Sequence, residues 1–171
     1  MLILSATNGT NLDLAQAFAA EATKQGASAE VVSLPELQLP LYDSLVSEAG
    51  PGLAKLEQAL KQHRGLVICA PEYNGSIPPV VSNAIAWLSV STEDFRALFN
   101  GRPVALATHS GGGGSKVALA MRQQLSHLGS TVIGREVIAT SQKAANPDAI
   151  AALVTQLTAL EPAYKGVPAK V

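Results

Sequence analysis

Short apolar runs without polar alternation recur along this chain of 171 residues, and they constrain its fold most strongly. A longer segment with apolar residues at helical spacing separates each run from the next. A strand that is exposed on one face would alternate apolar and polar residues, so these runs predict strands covered on both faces, as in a parallel sheet between layers of helices. The predicted strands are residues 2–4, 30–34, 66–70, 104–108 and a longer stretch around 132–138.

The intervening segments predict five amphipathic helices. They span residues 11–26, 51–63, 80–88 and 117–128, and the last begins after Asn146-Pro147-Asp148. Five alternations of strand and helix predict an α/β three-layer sandwich with right-handed crossovers. For a chain of this size we expect the flavodoxin-like fold, a five-stranded parallel sheet of order 2-1-3-4-5 with helices on both faces. We expect one domain over residues 1–171, ending in an irregular tail over 161–171.

Composition excludes several classes of protein. The formal net charge is −1, with 12 Lys and Arg against 13 Asp and Glu, so no basic face for nucleic acid is expected. One cysteine can form neither an internal disulfide nor a multi-thiolate metal site, and Cys69 lies in an apolar run where we expect an inert, buried thiol. No signal peptide and no membrane span are expected, since no window approaches about 18 apolar residues. These features predict a cytoplasmic protein.

The predicted topology also locates a binding crevice. Ligands of open parallel sheets bind beyond the carboxyl ends of the strands, where the strand order reverses, which here lies between the first and third strands. The loops to consider are residues 5–11, 71–78 and 109–115, and all three are rich in glycine and hydroxyl residues.

The first loop predicts a phosphate cradle. It leads from a strand into a helix whose free N–H groups point at the loop. It contains no Lys or Arg, but hydrogen bonds to charged groups contribute about 1.5–3 kcal/mol each, so four or five neutral donors can hold a phosphate monoester. The alternative is that Thr10 or Asn11 only caps the helix and the rest is a tight turn. The candidate residues are Ser5, Thr7, Asn8, Gly9, Thr10 and Asn11.

The second loop, which begins Pro71-Glu72-Tyr73-Asn74-Gly75, is stiffened by prolines at both ends. Asn-Gly favours a turn with positive φ, and Tyr73 offers a flat apolar surface with a polar tip. Such a loop suits the edge of a planar heterocycle. The alternative is a structured turn with Tyr73 packed in the core or an interface.

The third loop begins His109-Ser110-Gly111-Gly112 and continues with two more glycines. A backbone without side chains can lie flat against a ligand and donate N–H groups to it. The alternatives are a flexible connector and a structural histidine.

The second loop carries a family resemblance. The run Pro71-Glu72-Tyr73-Asn74-Gly75-Ser76-Ile77-Pro78, followed by Asn83-Ala84-Ile85 and Trp87-Leu88-Ser89, closely resembles the NADPH-dependent FMN reductase family, which includes flavin, quinone, azo-dye and chromate reductases. The resemblance extends over about residues 2–135. It implies non-covalent FMN, NADPH or NADH as donor, and a homodimer or homotetramer in which the helix after the second loop often contributes to the interface. It also implies that the second loop flanks the isoalloxazine and the first holds the phosphate.

The first loop departs from that family's usual pattern, Gly-Ser-x-Arg-x-x-Ser-x-Asn. It is shorter, has no arginine, and with Ser5, Thr7 and Thr10 resembles the phosphate loop of flavodoxins. The expected function is an FMN-dependent NAD(P)H oxidoreductase that reduces a small acceptor, with no catalytic side chain because the flavin carries the chemistry. One alternative is an electron carrier or redox-sensing flavoprotein without its own NAD(P)H site. Another is a domain that binds no flavin and acts only in assembly.

Overall fold

Strands and helices alternate along the chain, as the apolar pattern predicts. The structure, a computed structural model, describes residues 1–45 and 48–166. The elements are β1 (Leu2–Ser5), α1 (Thr10–Lys24), β2 (Glu30–Ser33), α2 (Pro51–Gln62), β3 (Leu66–Cys69), α3 (Pro79–Ser91), β4 (Pro103–Ser110), α4 (Ser115–His127), β5 (Thr131–Thr140) and α5 (Pro147–Leu160). Short 3-10 helices span Pro35–Leu37, Phe95–Leu98 and Glu161–Ala163.

The five strands form one parallel sheet of order β2-β1-β3-β4-β5, which confirms the predicted flavodoxin-like topology. β1 lies between β2 and β3, and Leu2 is in register with both Glu30 and Leu66. Because every strand runs in the same direction, the loops that follow β1, β3 and β4 leave the sheet at one edge. This edge, the carboxyl edge, therefore brings the three predicted loops together.

Two apolar layers cover the sheet. The α1 and α5 layer packs on one face, where Phe18 and Leu157 are fully buried against strand residues such as Val67. The α2, α3 and α4 layer packs on the other face around residues such as Leu106. Burial on both faces is the reason that the strands read as continuous apolar runs. Within the described residues, no helix is long and apolar enough to cross a bilayer.

The fourth strand is longer than its sequence suggests. The prediction ended it at residue 108, but β4 continues through His109 and Ser110, which are in register with Ala139 and Thr140 of β5. The prediction of a loop beginning at His109 was therefore wrong by two residues. The extra pairing depends on β5, whose register with β4 shifts between Val104 and Leu106.

A buried arginine closes the opposite, amino edge of the sheet. Arg102 is fully buried, and its guanidinium donates to the carbonyl oxygens of Leu98 (2.6 Å), Leu60 (2.7 Å) and His63 (2.7 Å). It also donates to the Tyr164 hydroxyl at 3.0 Å and lies 4.6 Å from the centre of that ring. Burial lowers the pKa of Arg102, and Tyr164 opposes this shift. Since two of the carbonyls lie at the C-terminal end of α2, the negative end of that helix helps to compensate the charge.

Tyr164 belongs to the predicted irregular tail, residues 161–171. In the described part of that tail, Tyr164 is buried and its hydroxyl donates to the carbonyl of Ala97 at 3.0 Å. Residues 167–171 lie outside the described residues.

Arg102→Met is expected to lower the free energy of unfolding by about 3 kcal/mol, because it leaves several buried carbonyls without a donor. Tyr164→Phe removes one hydroxyl and should cost about 1 kcal/mol. Urea unfolding followed by circular dichroism measures both. Arg64→Met at the exposed neighbouring arginine is the control, and equal stability of the Arg102 and Arg64 variants would contradict this role.

Candidate functional site

The first loop presents unpaired backbone donors. α1 begins after Gly9, and no side chain caps it. The Leu12 and Asp13 amides both donate to the Gly9 carbonyl, at 2.7 and 3.2 Å. The amides of Gly9, Thr10 and Asn11 have no protein acceptor among residues 1–45 and 48–166. Thr10 and Asn11 lie inside the helix and neither caps it, so the positive end of α1 is open to an anion.

Ser5 holds the shape of this loop. Its side chain is fully buried, and its hydroxyl donates to the Thr7 carbonyl at 2.7 Å. At the other side of the loop, the Ser33 hydroxyl donates to the Asn8 side-chain oxygen. The loop is therefore bonded internally and to the end of β2, whereas the Thr7 and Thr10 hydroxyls have no partner in the described part of the chain.

Asn11 joins the first loop to the third. Its side-chain amide donates to the His109 carbonyl and its side-chain oxygen accepts from the His109 amide, both at 2.9 Å. Asn11 is 2% exposed, so the pair is shielded from water. A carboxamide that pairs with both backbone groups of one residue fixes distance and orientation together. The structure thus gives Asn11 a positioning role between α1 and β4.

The second loop contains a tight turn. Tyr73 and Ser76 exchange two backbone hydrogen bonds, at 3.1 and 3.0 Å, around Asn74 and Gly75. Both central residues have positive φ, 51° and 74°, as a type I′ turn requires and as Asn-Gly favours. Tyr73 is 49% exposed, so its ring is not part of the core. The turn presents this ring beside the carboxyl edge.

Glu72 ties the second loop to the third loop and to α4. Its amide donates to the Ser110 hydroxyl at 2.8 Å, and that hydroxyl bonds to the Thr108 hydroxyl at 2.7 Å. Its carboxylate accepts from the amides of Lys116 (3.2 Å) and Val117 (3.4 Å). Glu72 therefore stabilises the positive end of α4, a structural role that local sequence did not reveal.

The third loop leaves open space beside the sheet. Gly111 and Gly112 are exposed, and a Cβ added at either would have no neighbour within 4 Å. Gly114 differs, because its φ is 74° and a Cβ there would lie 2.8 Å from the Thr108 methyl carbon. The His109 backbone is bonded to Asn11, and its side chain is half-buried. Pro71 is buried at the base of the second loop.

The structure thus brings all the predicted site residues to one edge, and it adds one that sequence reasoning missed. Lys116 lies in the first turn of α4, and its side chain contacts the turn at Gly75. Its signal was its position two residues after the glycine run. A groove of about 720 Å³ lies along β5 and the start of α5, and its lining, which includes Arg135, Lys143 and Asn146, contains no residue of the three loops.

Cys69 ends β3 next to the crevice but is fully buried, and burial raises the pKa of its thiol. The thiol is therefore neutral at physiological pH, in agreement with the prediction of an inert cysteine.

Asn11→Ala is expected to lower the free energy of unfolding by about 2 kcal/mol, because it leaves the amide and the carbonyl of His109 without their hydrogen-bond partner in a buried position. Chemical unfolding measures the loss. The matched control is Thr23→Ala on the exposed side of α1, for which a change of no more than about 0.5 kcal/mol is expected. If the two variants are equally stable, the Asn11 pair does not hold the two loops together.

Comparisons with known proteins agree on one family and one fold. A family model described as NADPH-dependent FMN reductase matches residues 1–145. The chain is similar to a quinone reductase of Escherichia coli (strain K12), with 38% identity over 115 residues that make up 64% of this chain and 60% of the relative. It is also similar to an NADPH azoreductase of Bacillus sp. (strain OY1-2), with 30% identity over 112 residues and the same shares of the two chains. The chain thus spans about 60% of the length of these curated relatives.

A solved oxidoreductase of Corynebacterium diphtheriae has a similar structure. Its TM-score is 0.74 at 19% identity, and the likeness covers 95% of this chain and 96% of that one. At this level of identity the likeness concerns the fold.

Proposed function

The chain belongs to the NADPH-dependent FMN reductase family, and on this basis we propose that it is an FMN-dependent NAD(P)H oxidoreductase. It passes electrons from a nicotinamide to a small acceptor such as a quinone, free flavin, an azo compound or a metal oxyanion. The observation that carries the proposal is the uncapped start of α1, which lies at the same edge as a stiff aromatic loop and a glycine run.

The first loop fits the phosphate of FMN by its donor set. Three backbone amides that have no acceptor within the described residues, together with the hydroxyls of Thr7 and Thr10, provide five neutral donors at a helix start. Each hydrogen bond to a charged group contributes about 1.5–3 kcal/mol, so the set can hold a phosphate without a cation. Ser5, Asn8 and Asn11 keep these donors in place through their bonds to the protein.

The second and third loops fit a flat ring. Tyr73 offers a half-exposed aromatic face, and Gly111 and Gly112 leave their backbone open to a ligand. The hydride and electron chemistry is supplied by FMN when it is bound. The chain's own residues bind the ring, orient it and leave one side accessible to donor and acceptor. We assign the ring contacts to residues 71–75 and 109–112.

The first test is reconstitution with FMN, followed by anaerobic mixing with NADPH and, separately, NADH while flavin absorbance is followed. We expect tight FMN binding and rapid bleaching with at least one donor, since the chain would carry its own donor site. An apoprotein that does not take up FMN would refute the proposal. Bound flavin that stays oxidised with both donors would instead favour the carrier or sensor, which the flavodoxin-like spacing of Ser5, Thr7 and Thr10 supports.

We also propose a homodimer or homotetramer. The interface would include α3 and the segment of residues 40–45, which is bonded to α3 through Pro40. The Asn83 and Trp87 side chains both donate to the Pro40 carbonyl, at 2.9 and 2.7 Å, and so hold this segment on α3. Leu41 and Leu45 of the segment are 80% and 89% exposed. Two large apolar side chains exposed to solvent on this segment favour a protein contact.

Leu41→Glu combined with Leu45→Glu is expected to shift the protein toward the mass of one chain in light scattering, because charge in the contact opposes association. The native protein should show twice or four times that mass. Ala17→Glu on the exposed side of α1 is the control and should leave the native mass unchanged. A native protein with the mass of one chain would end the proposal.

We place the protein in the cytoplasm. The single cysteine is buried and no disulfide is available to the chain, which fits a reducing compartment.

A further inference from the structure

One lysine lies at the rim of the crevice, over the turn of the second loop. A Cβ built on Gly75 would be 3.4 Å from Cδ of Lys116 and 4.0 Å from its Nζ. The stem of Lys116 therefore packs over the Asn74-Gly75 turn, and its ammonium lies beside that turn. The residue is exposed, so the charged end is open to solvent and to a ligand.

The backbone of Lys116 is bonded to the second loop. Its amide donates to the Glu72 carboxylate, and the Glu72 amide donates to the Ser110 hydroxyl. Lys116 is thus bonded to the second loop through its backbone, and its stem lies beside the turn of that loop. The backbone bond fixes the place on α4 from which the side chain extends toward the crevice.

The ammonium has no carboxylate partner in the described part of the chain. None of the ion pairs found there involves Lys116, and the Glu72 carboxylate is bonded to backbone amides. The three loops themselves contain no Lys or Arg. Lys116 directly follows the third loop. It is the lysine or arginine that lies nearest in sequence to any of the three loops.

The first turn of α4 is an unusual place for a cation. The amino end of a helix carries partial positive charge, which disfavours Lys in the first turn. No acidic residue occupies the first turn of α4, and Glu72 from another loop compensates the helix end. A lysine at a helix position that disfavours positive charge, beside a binding crevice, indicates that the residue is there for function.

We propose that Lys116 binds phosphate groups of the incoming nicotinamide dinucleotide, an inference that rests on the proposed reductase function. The FMN phosphate is assigned to the start of α1, which follows β1, whereas Lys116 follows β4 and contacts the loop after β3. A dinucleotide brings a pyrophosphate, and NADPH brings a further phosphate on its adenosine ribose. Lys116 supplies the positive charge that the first loop lacks, as a point charge for phosphate.

The test compares Lys116→Gln with Lys24→Gln in the FMN-loaded protein. Lys24 is an exposed lysine at the far end of α1, at the amino edge. For Lys116→Gln, we expect the KM for the donor to rise about tenfold or more, as for loss of one charge-assisted hydrogen bond. The dissociation constant of NADP⁺, measured from the change in flavin absorbance on titration, should rise similarly. FMN affinity should stay within about twofold of the native value, because its phosphate is bound elsewhere.

Two donors and a conservative variant sharpen the result. A larger KM for NADPH alone assigns Lys116 to the ribose phosphate, and a larger KM for both NADPH and NADH assigns it to the pyrophosphate. Lys116→Arg, which keeps the charge, should restore most of the affinity. Thermal unfolding of each variant checks that the fold is intact.

The inference is overturned if Lys116→Gln has the native KM and native NADP⁺ affinity while the native protein is reduced by NADPH or NADH. It is also overturned if the substitution weakens FMN binding instead, since the lysine would then belong to the flavin site. Failure of the reductase proposal looks different, because the native protein itself would not be reduced by either donor.

Discussion

The crevice depends on two hydrogen bonds made by one buried side chain, the carboxamide of Asn11. They join the start of α1 to the end of β4 across two strand positions of the sheet. The parallel sheet brings three loops to one edge, but it does not by itself fix their distances. Asn11 fixes the first loop against the third, and Glu72 fixes the second against the third and against α4. Among residues 1–45 and 48–166, the backbone donors at the start of α1 have no acceptor, because the side chains of Ser5, Asn8 and Asn11 are bonded to other parts of the protein.

The architecture was readable from the sequence because its strands are buried on both faces. Runs such as Leu66 to Ala70 have few alternatives to a central strand, and the order of elements then leaves few topologies. The sequence did not predict where β4 ends. His109 and Ser110 are polar and precede four glycines, which indicates a loop, yet pairing with Ala139 and Thr140 extends the strand. That pairing joins residues about 30 apart in sequence, so no local pattern reports it.

The sequence predicted where the candidate site lies better than it predicted what each residue does there. Loop position and residue type identified Ser5, Asn11 and Glu72, but their hydrogen bonds show that each holds a loop or a helix end. The FMN contacts assigned to these loops stay predictions. Arg102 gave no sequence signal, since a lone basic residue usually indicates solvent exposure, and the signal of Lys116 was only its position just after the glycine run. Arg102 is buried because carbonyls from the end of α2 and from the segment before β4 converge on it, and Lys116 lies beside a turn some 40 residues away in sequence.

Tyr164 is anchored at the amino edge of the sheet, whereas the crevice lies at the carboxyl edge. The amino edge is therefore available for attachment of the protein to a support. Lys165 is exposed directly after this buried tyrosine, on the opposite side of the sheet from the crevice. The only native cysteine, Cys69, is fully buried and its thiol stays protonated. A cysteine placed at 165 would therefore be the one thiol open to a maleimide or a gold surface. Attached there, the protein would stand on an electrode with its three loops turned toward solution, in a single orientation.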